Sequence, residues 1–557
     1  MRKITSLLLI MFFVSSLCAV SYQRTYLKDS IEWKAAEALL ISEGYNPPTS
    51  VNPATGAEII SSLSLLEPES MGEVERSFLD YAVQSLSWEP VIESGNFAMT
   101  PSVIISPEVY KHTTAFDSYS DYLFPVRDRL SALDFDIDLE YADTFYGFVD
   151  YLVLSPEHEK QYDKLWGTNI DAIKGGFNTQ HEGTLRAGGL FGNEWMNFSV
   201  QRSRQSLGYG KSGTFTLGDN FSRQDFMRFH TFSDIFDYTL NLTLFSNMDS
   251  NMETIDFNFN GMHNILSLHR FDIKLFDRAM ISITEGIAAY MDSTLDIRLL
   301  NPFLFHHGFN NYNEGIEAKP LDGDEANNIF SVELGYTVLP HMRVRGELIF
   351  DQIQLSGEAA AQNARPNANG FMVGLDSSWI LSEDMFITVY AEFAKTSPYL
   401  YLNYKENSGK LQPNYDYIFG VHDWWGVDEV AYGGYRFGPD AVVLGFGASI
   451  GGIGSFLVDA DFVYSRHGLY GLGYDKGVRN EFGPDHINDK SPTGEEDQIE
   501  RRIEAKIDSE ILITDYLSLK AGVGYVYAQN YRNNPGMTFS DLQMKLGVSL
   551  DVTGIFR

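Results

Sequence analysis

The sequence predicts an all-β transmembrane barrel carrying a small N-terminal α-helical domain. Three observations predict it. Stretches of about ten residues alternate strictly between apolar and polar side chains, the length of a tilted strand crossing a bilayer. Short turns alternate with long polar connections, as in outer-membrane barrels. Finally, 14% of the 557 residues are aromatic, yet beyond the N-terminus there is no uninterrupted apolar run of 18 residues, so the aromatics fit interfacial girdles and not helical spans.

The chain opens with MRKITSLLLIMFFVSSLCAVSYQ: two cations, an apolar run from Leu7 to Val14, then small residues. This is the layout of a secretory signal peptide over residues 1–21, with cleavage expected before Tyr22 because Ala19 and Ser21 occupy the small-residue positions. Bulky Leu17 disfavours lipidation of Cys18. Cys18 is the only cysteine, so a processed chain has no disulfide or thiolate metal site. Loss of Arg2 and Lys3 leaves 39 Lys+Arg against 75 Asp+Glu, a net charge near −36, which disfavours nucleic acid as a partner.

Residues 22–90 read as a helical bundle, expected on the periplasmic side. DSIEWKAAEALLISEGY offers Asp29 or Ser30 as N-cap and Gly44 as a stop, and NPATGAEIISSLSLLEPE and SMGEVERSFLDYAVQSL follow as two further helices. About 60 residues make a poor independent core; packing against something larger is expected.

From residue 91 to 557 the period falls to two. In LDFDIDLEY, Asp134, Asp136, Asp138 and Glu140 share one face and Leu133, Phe135, Ile137, Leu139 and Tyr141 the other. The apolar face is assigned to lipid and the acids to a wet interior. Hairpins are expected through ADT, LPHM and LSED, and the last three strands run through RRIEAKIDSEILI, LSLKAGVGYVYAQ and DLQMKLGVSLDVTGIF. A soluble sandwich would use strands of about five or six residues, and no propeller repeat is present.

Motifs that suggest catalysis fail on context. GYGKSG, Gly208 to Gly213, matches G-x-G-x-x-G but lacks the following helix of a dinucleotide site. GASIG around Ser449 leads into another strand, where a nucleophile elbow leads into a helix. No metal site and no cofactor are expected, and the chain is read as a non-enzyme.

Several passages resemble the capsule-assembly Wzi family of outer-membrane proteins. FSVQRSRQSLGYGKSGTFTLGDNFSRQDF is similar to the family's arginine, glycine-pair and L-S-D-N passage through Arg202, Gly208, Gly210, Gly213, Leu217, Asp219 and Asn220. LSLHRFDIKLFDRAMISITEGIAAYMDSTLDIRLLNPFLF resembles its H-R, glutamate and N-P stretch through His269, Arg270, Glu285, Asn301 and Pro302, and YGGYRFGPDAVVLG its G-P-D segment. The resemblance implies about 18 antiparallel strands, a periplasmic helical bundle closing one end, and lectin-like retention of capsular or other surface polysaccharide.

Sugars need aromatic faces for their C–H surfaces and directional polar groups for their hydroxyls. Tyr399, Tyr401, Tyr404, Asp423, Trp424 and Trp425, in two aromatic loops, are the glycan-binding candidates. Arg202, His269, Arg270 and Glu285 are candidates for the lumen with the four acids of LDFDIDLEY, Arg270 and Glu285 as a buried ion pair between hairpin strands. The alternative is a cation-preferring porin or transporter lined by acidic rings. Expected partners are polysaccharide and membrane lipid, and a monomer is expected.

Overall fold

The computed structural model describes residues 22–47, 49–114, 121–125, 128–154, 165–170, 182–246, 263–291, 297–303, 305–306, 326–352, 367–402, 417–421, 429–474 and 489–556. Among these residues one closed antiparallel barrel of 18 strands dominates. The strands are β1 (Phe97–Ile105), β2 (Leu133–Tyr141), β3 (Phe145–Leu154), β4 (Glu182–Gly192), β5 (Met196–Ser203), β6 (Gln224–Thr231), β7 (Phe236–Phe245), β8 (His263–Leu275) and β9 (Ala279–Met291). They continue as β10 (Ala326–Leu339), β11 (Met342–Gln352), β12 (Ala368–Ile380), β13 (Met385–Thr396), β14 (Ala441–Gly452), β15 (Phe456–His467), β16 (Glu500–Thr514), β17 (Leu517–Gln529) and β18 (Thr538–Asp551).

Each strand pairs with its sequence neighbours, and β18 closes the cylinder on β1 (Leu550 opposite Ile105) and on the β1 extension Glu108–His112. Closure leaves no unpaired edge, the condition for a sheet in lipid. Two to four residues join the strands at one end; 8 to 44 join them at the other, apart from the broken start of the barrel. The expected turns at 142–144, 340–341 and 381–384 are all at the short-turn end.

Alternation sets the two faces. Phe135 and Ile137 are 37% and 40% exposed while Glu140 is 6% exposed, so the oily flank of LDFDIDLEY faces out and its acids face in. The same outward set recurs around the wall: Leu348, Val373, Phe446, Phe462, Ile507, Val523 and Leu546 are all exposed.

Three helices precede the barrel: α1 (Ile31–Glu43), α2 (Gly56–Leu63) and α3 (Glu73–Ser85). Ser30 caps α1 by accepting from the Trp33 amide, and Gly44 ends it at φ 88°. Thr55 and Glu58 form a reciprocal capping box on α2. α1 is buried on nearly every side, because it sits in the short-turn mouth. The His341 amide donates to the Ile41 carbonyl (2.8 Å) and the Asn46 amide to the Asp277 carbonyl (3.0 Å), while Phe78 meets Phe386 edge-on. The expectation that the helices pack on a larger body is met by the barrel itself.

Candidate functional site

The lumen is filled from both ends. From the short-turn end, the strand Val51–Asn52 enters and pairs with Ser206–Leu207. That second strand belongs to residues 204–223, the connection between β5 and β6, which turns inward from the long-loop end. The connection between β13 and β14 packs on it: the Tyr401 hydroxyl donates to the Phe215 carbonyl (2.7 Å), Tyr417 to the Thr216 carbonyl (2.6 Å), and the Asn220 amide to the carbonyls of Tyr432 and Gly434. Val51, Leu207, Phe215, Leu217, Tyr401, Tyr417 and Tyr435 are each buried in one core across the lumen.

GYGKSG is the centre of this inner plug. Gly208 and Gly213 have φ of 130° and 138°, and a Cβ on Gly210 would lie 1.8 Å from the Gly213 carbonyl oxygen, so the tight turn needs glycine. Inward carboxylates of the wall accept the amides that the turn leaves free. Glu333 takes Tyr209 (2.8 Å), Glu392 takes Lys211 and Ser212 (3.0 Å each), and Glu347 takes Phe215 (3.1 Å). Such buried amides are costly without a partner. The motif dismissed for nucleotides is thus structural, and its signal in the sequence is glycine clustering inside an otherwise strand-like pattern.

Ion pairs weld plug, helix and wall together. Glu37 of α1 accepts from Lys211 (2.8 Å) and Arg343 (2.9 Å); Arg343 and Arg345 share Asp376, and Arg345 also meets Glu392. Burial alone raises the Glu37 carboxyl, but Lys211 and Arg343 outweigh it and hold it well below the usual carboxylate range. Lys28 donates to the carbonyls of Ser50 (2.6 Å) and Gly208 (2.5 Å), joining the two halves of the plug, and burial pushes its ammonium down to about 7.

Arg270 does face the lumen, fully buried, but its carboxylate partners are Asp272 (2.8 Å) and Glu333 (2.9 Å), with Ser50 and Ser282 completing its fork. The expected pair with Glu285 does not form. In the β8–β9 register Arg270 lies opposite Thr284, and His269 opposite Glu285. His269 and Glu285 therefore point out of the barrel, since successive side chains alternate. Residues 297–303 and 305–306 cover this outward polar notch. His269 donates to the Leu299 carbonyl (2.9 Å), its ring lies 4.3 Å from that of His306, and Leu299 packs on Leu242, Ile265 and Ile287.

Arg202 is likewise outward, in phase with exposed Phe198 and Val200, and binds Asp225 through two bonds of 2.7 and 2.8 Å. Asp134, Asp136, Asp138 and Glu140 do face the lumen, where Asp138 meets Arg24 at 3.7 Å and accepts from Tyr146, and Asp134 accepts from Ser131. Ser449 lies within β14, opposite Thr388 and Asp459, so no nucleophile elbow exists there.

Of the glycan candidates, Tyr399 and Tyr401 are buried, with Tyr399 bonded to Asp489 (2.7 Å). They anchor the β13–β14 connection and offer no free ring face. Tyr404, Asp423, Trp424 and Trp425 lie outside the described residues.

Between α1, the plug, residues 121–125 and 128–130 and the walls of β13–β18 remains a cavity of about 750 Å³. Nine cationic and nine acidic side chains line it, so its charge is balanced and no acidic ring dominates. Apart from Lys28, which meets carbonyls, the cations are paired with carboxylates, among them Lys34 with Asp459 (2.5 Å), Arg436 with Glu504 (3.0 Å), Lys506 with Asp128 (3.0 Å) and Lys545 with Asp508 (2.8 Å). Among the described residues no group of three or more side chains suits a metal ion.

No family model and no curated protein matches the sequence. Solved structures do. The chain is similar to Wzi, an outer membrane protein involved in group 1 capsule assembly in Escherichia coli and a carbohydrate-binding β-barrel, with 12% identity, TM-score 0.54, and coverage of 94% of this chain and 99% of that one. OpdQ of Pseudomonas aeruginosa is 8% identical over 82% of this chain and 98% of its own, TM-score 0.38. OprD of the same organism is 7% identical over 83% and 100%, TM-score 0.37. Neither of these two scores carries an argument. By its strand count, its closure and its near-complete overlap, the chain shares the fold of the Wzi barrel.

Proposed function

We propose that this chain is a non-enzymatic outer-membrane barrel that holds capsular or other surface polysaccharide at its long-loop end, with the helical segment on the periplasmic side. The observation that carries this reading is the interlocked plug. A porin needs a continuous wet path, whereas here residues 204–223, 397–402, 417–421 and 429–440 meet the N-terminal strand in a buried core. The same anchoring supports a binding platform. Buried Tyr401 and the hairpin Ile418–Val421/Glu429–Tyr432 fix the roots of the segment that carries Trp424 and Trp425, and rigid roots lower the ordering cost of binding. The carbohydrate bound by the similar barrel agrees with this reading.

The test is retention of fluorescent surface polysaccharide by cells displaying the chain, compared with Trp424→Ala and Trp425→Ala variants of unchanged abundance. Retention lost in both variants supports the loop site. A large steady conductance of the wild-type chain in planar bilayers, with no retention, overturns the reading in favour of transport.

A further inference from the structure

The outer wall carries one concentration of cations that neither the lumen nor the plug uses. Lys395 on β13 lies opposite Val442 on β14; Val442 lies opposite Arg466 on β15; Arg466 lies opposite Arg501 on β16. Arg466 and Arg501 are in phase with exposed apolar residues of their own strands, Phe462 and Ile507, and Lys395 lies opposite exposed Phe371 on β12. They therefore project towards lipid. Each is the second residue from the long-loop end of its strand, so the row lies along the long-loop rim of the barrel.

Like charges directly opposite on antiparallel strands repel, and Arg466 and Arg501 are such a pair. Glu496 offsets part of this by accepting from both, at 2.7 and 2.9 Å from Arg466 and 2.9 Å from Arg501. Glu496 is shared between two of the three cations and Lys395 takes no part in it, in a chain whose formal charge is −34. The Nε of Arg466 is buried without a hydrogen-bond partner, and no ion pair forms to Lys395 among the described residues. Immediately below the row, on the same face, lie Leu444, Phe446 and Phe462, with the two rings 6.5 Å apart. Cation heads above an aromatic and aliphatic wall match an amphiphile with an anionic head and acyl chains. Arginine forks suit phosphate in particular, through paired N–H bonds.

The geometry points to a binding site for the phosphorylated headgroup of an outer-leaflet glycolipid across Lys395, Arg466 and Arg501, with its chains on Leu444, Phe446 and Phe462. The site rests on the bilayer-spanning barrel and not on the polysaccharide reading.

The test uses the full chain in detergent, titrated with diphosphorylated lipid A and read by native mass spectrometry. The triple variant Lys395→Gln/Arg466→Gln/Arg501→Gln is compared with Arg202→Gln, an outward cation elsewhere on the wall. Heat-modifiable migration on gels checks that both remain folded. Wild type and Arg202→Gln are expected to hold one lipid at least tenfold more tightly than the triple variant, and dephosphorylated lipid is expected to bind wild type as weakly as the triple variant binds lipid A. Inorganic phosphate at millimolar concentration is expected to leave the adduct in place. Equal binding by the triple variant, equal binding of the dephosphorylated lipid, or displacement by free phosphate each overturns the assignment. Should the triple variant misfold, Arg501→Gln alone is read in the same titration, and affinity unchanged within twofold overturns it. Polysaccharide retention is expected to be unaffected by any of these variants, so failure here leaves the glycan reading standing.

Discussion

At the scale of single residues, the junction between helix and barrel turns on Glu37. Its carboxylate is shared between Lys211 of the plug and Arg343 of the wall, and removing one member of a buried pair leaves charges uncompensated, typically at a cost of about 3–5 kcal/mol. Glu37→Gln is expected to loosen the N-terminal segment by about that amount, seen as faster trypsin cleavage within residues 22–90 in detergent. The pH dependence has a definite sign. The folded carboxyl lies below its ordinary value of 4.5, so the unfolded state takes up the proton first. The stabilisation is complete above 4.5 and is lost as pH falls through the lower folded value; the protease-protected fraction should drop on that acid limb in wild type and stay flat in Glu37→Gln. Gly210 offers a second test. Its Cβ would collide with the Gly213 carbonyl, whereas the nearest atom to a Cβ on Gly445 is 3.7 Å away. Gly210→Ala should lower the thermal midpoint by several degrees, and Gly445→Ala should leave it unchanged.

At the scale of elements, the plug is held by the wall's own acids. Glu333, Glu347 and Glu392 accept amides of the inward loop, so acidic residues that a sequence reading assigns to an ion path serve as docking points for backbone. Replacing residues 206–217 with a short Gly-Ser linker removes that bridge and should convert a silent barrel into a conducting one in planar bilayers. Because nine cations and nine acids line the remaining cavity, the opened channel should show weak ion selectivity, with a reversal potential near zero in a KCl gradient. Strong cation preference would restore the acidic-ring model. Residues 297–303 and 305–306 are the outer counterpart of the plug. They shield outward His269 and Glu285 and turn Ile297, Phe303 and Phe305 outward, at 75%, 88% and 72% exposure.

At the scale of the whole molecule, the continuous outward belt makes two demands. The barrel needs lipid or detergent, and its closed hydrogen-bond ladder should resist sodium dodecyl sulfate until heated. Unheated protein is therefore expected to migrate faster than boiled protein, and detergent removal should cause aggregation. Monodisperse behaviour in plain buffer would contradict the outward belt of Phe135, Phe446 and Ile507.

The sequence by itself determined the period-two strands, the facing of LDFDIDLEY and the three helices, whereas Arg202, His269 and Glu285, read as lumen residues, face outward. LDFDIDLEY has a period of two and one oily flank, and Ser30 and Gly44 mark helix ends, because backbone geometry and local capping depend on neighbours only a few residues away. Only the tertiary structure decided which strands of this cylinder meet and which loops fold inward. Arg270 finds Glu333 across 63 residues, Lys211 finds Glu37 across 174, and Tyr401 finds Phe215 across 186. No local pattern encodes these partners. Strand alternation alone puts His269 and Arg270 on opposite faces; closure of the barrel decides which face is the lumen, and the need to satisfy buried charges and amides there selects the partners of Arg270 from distant parts of the chain.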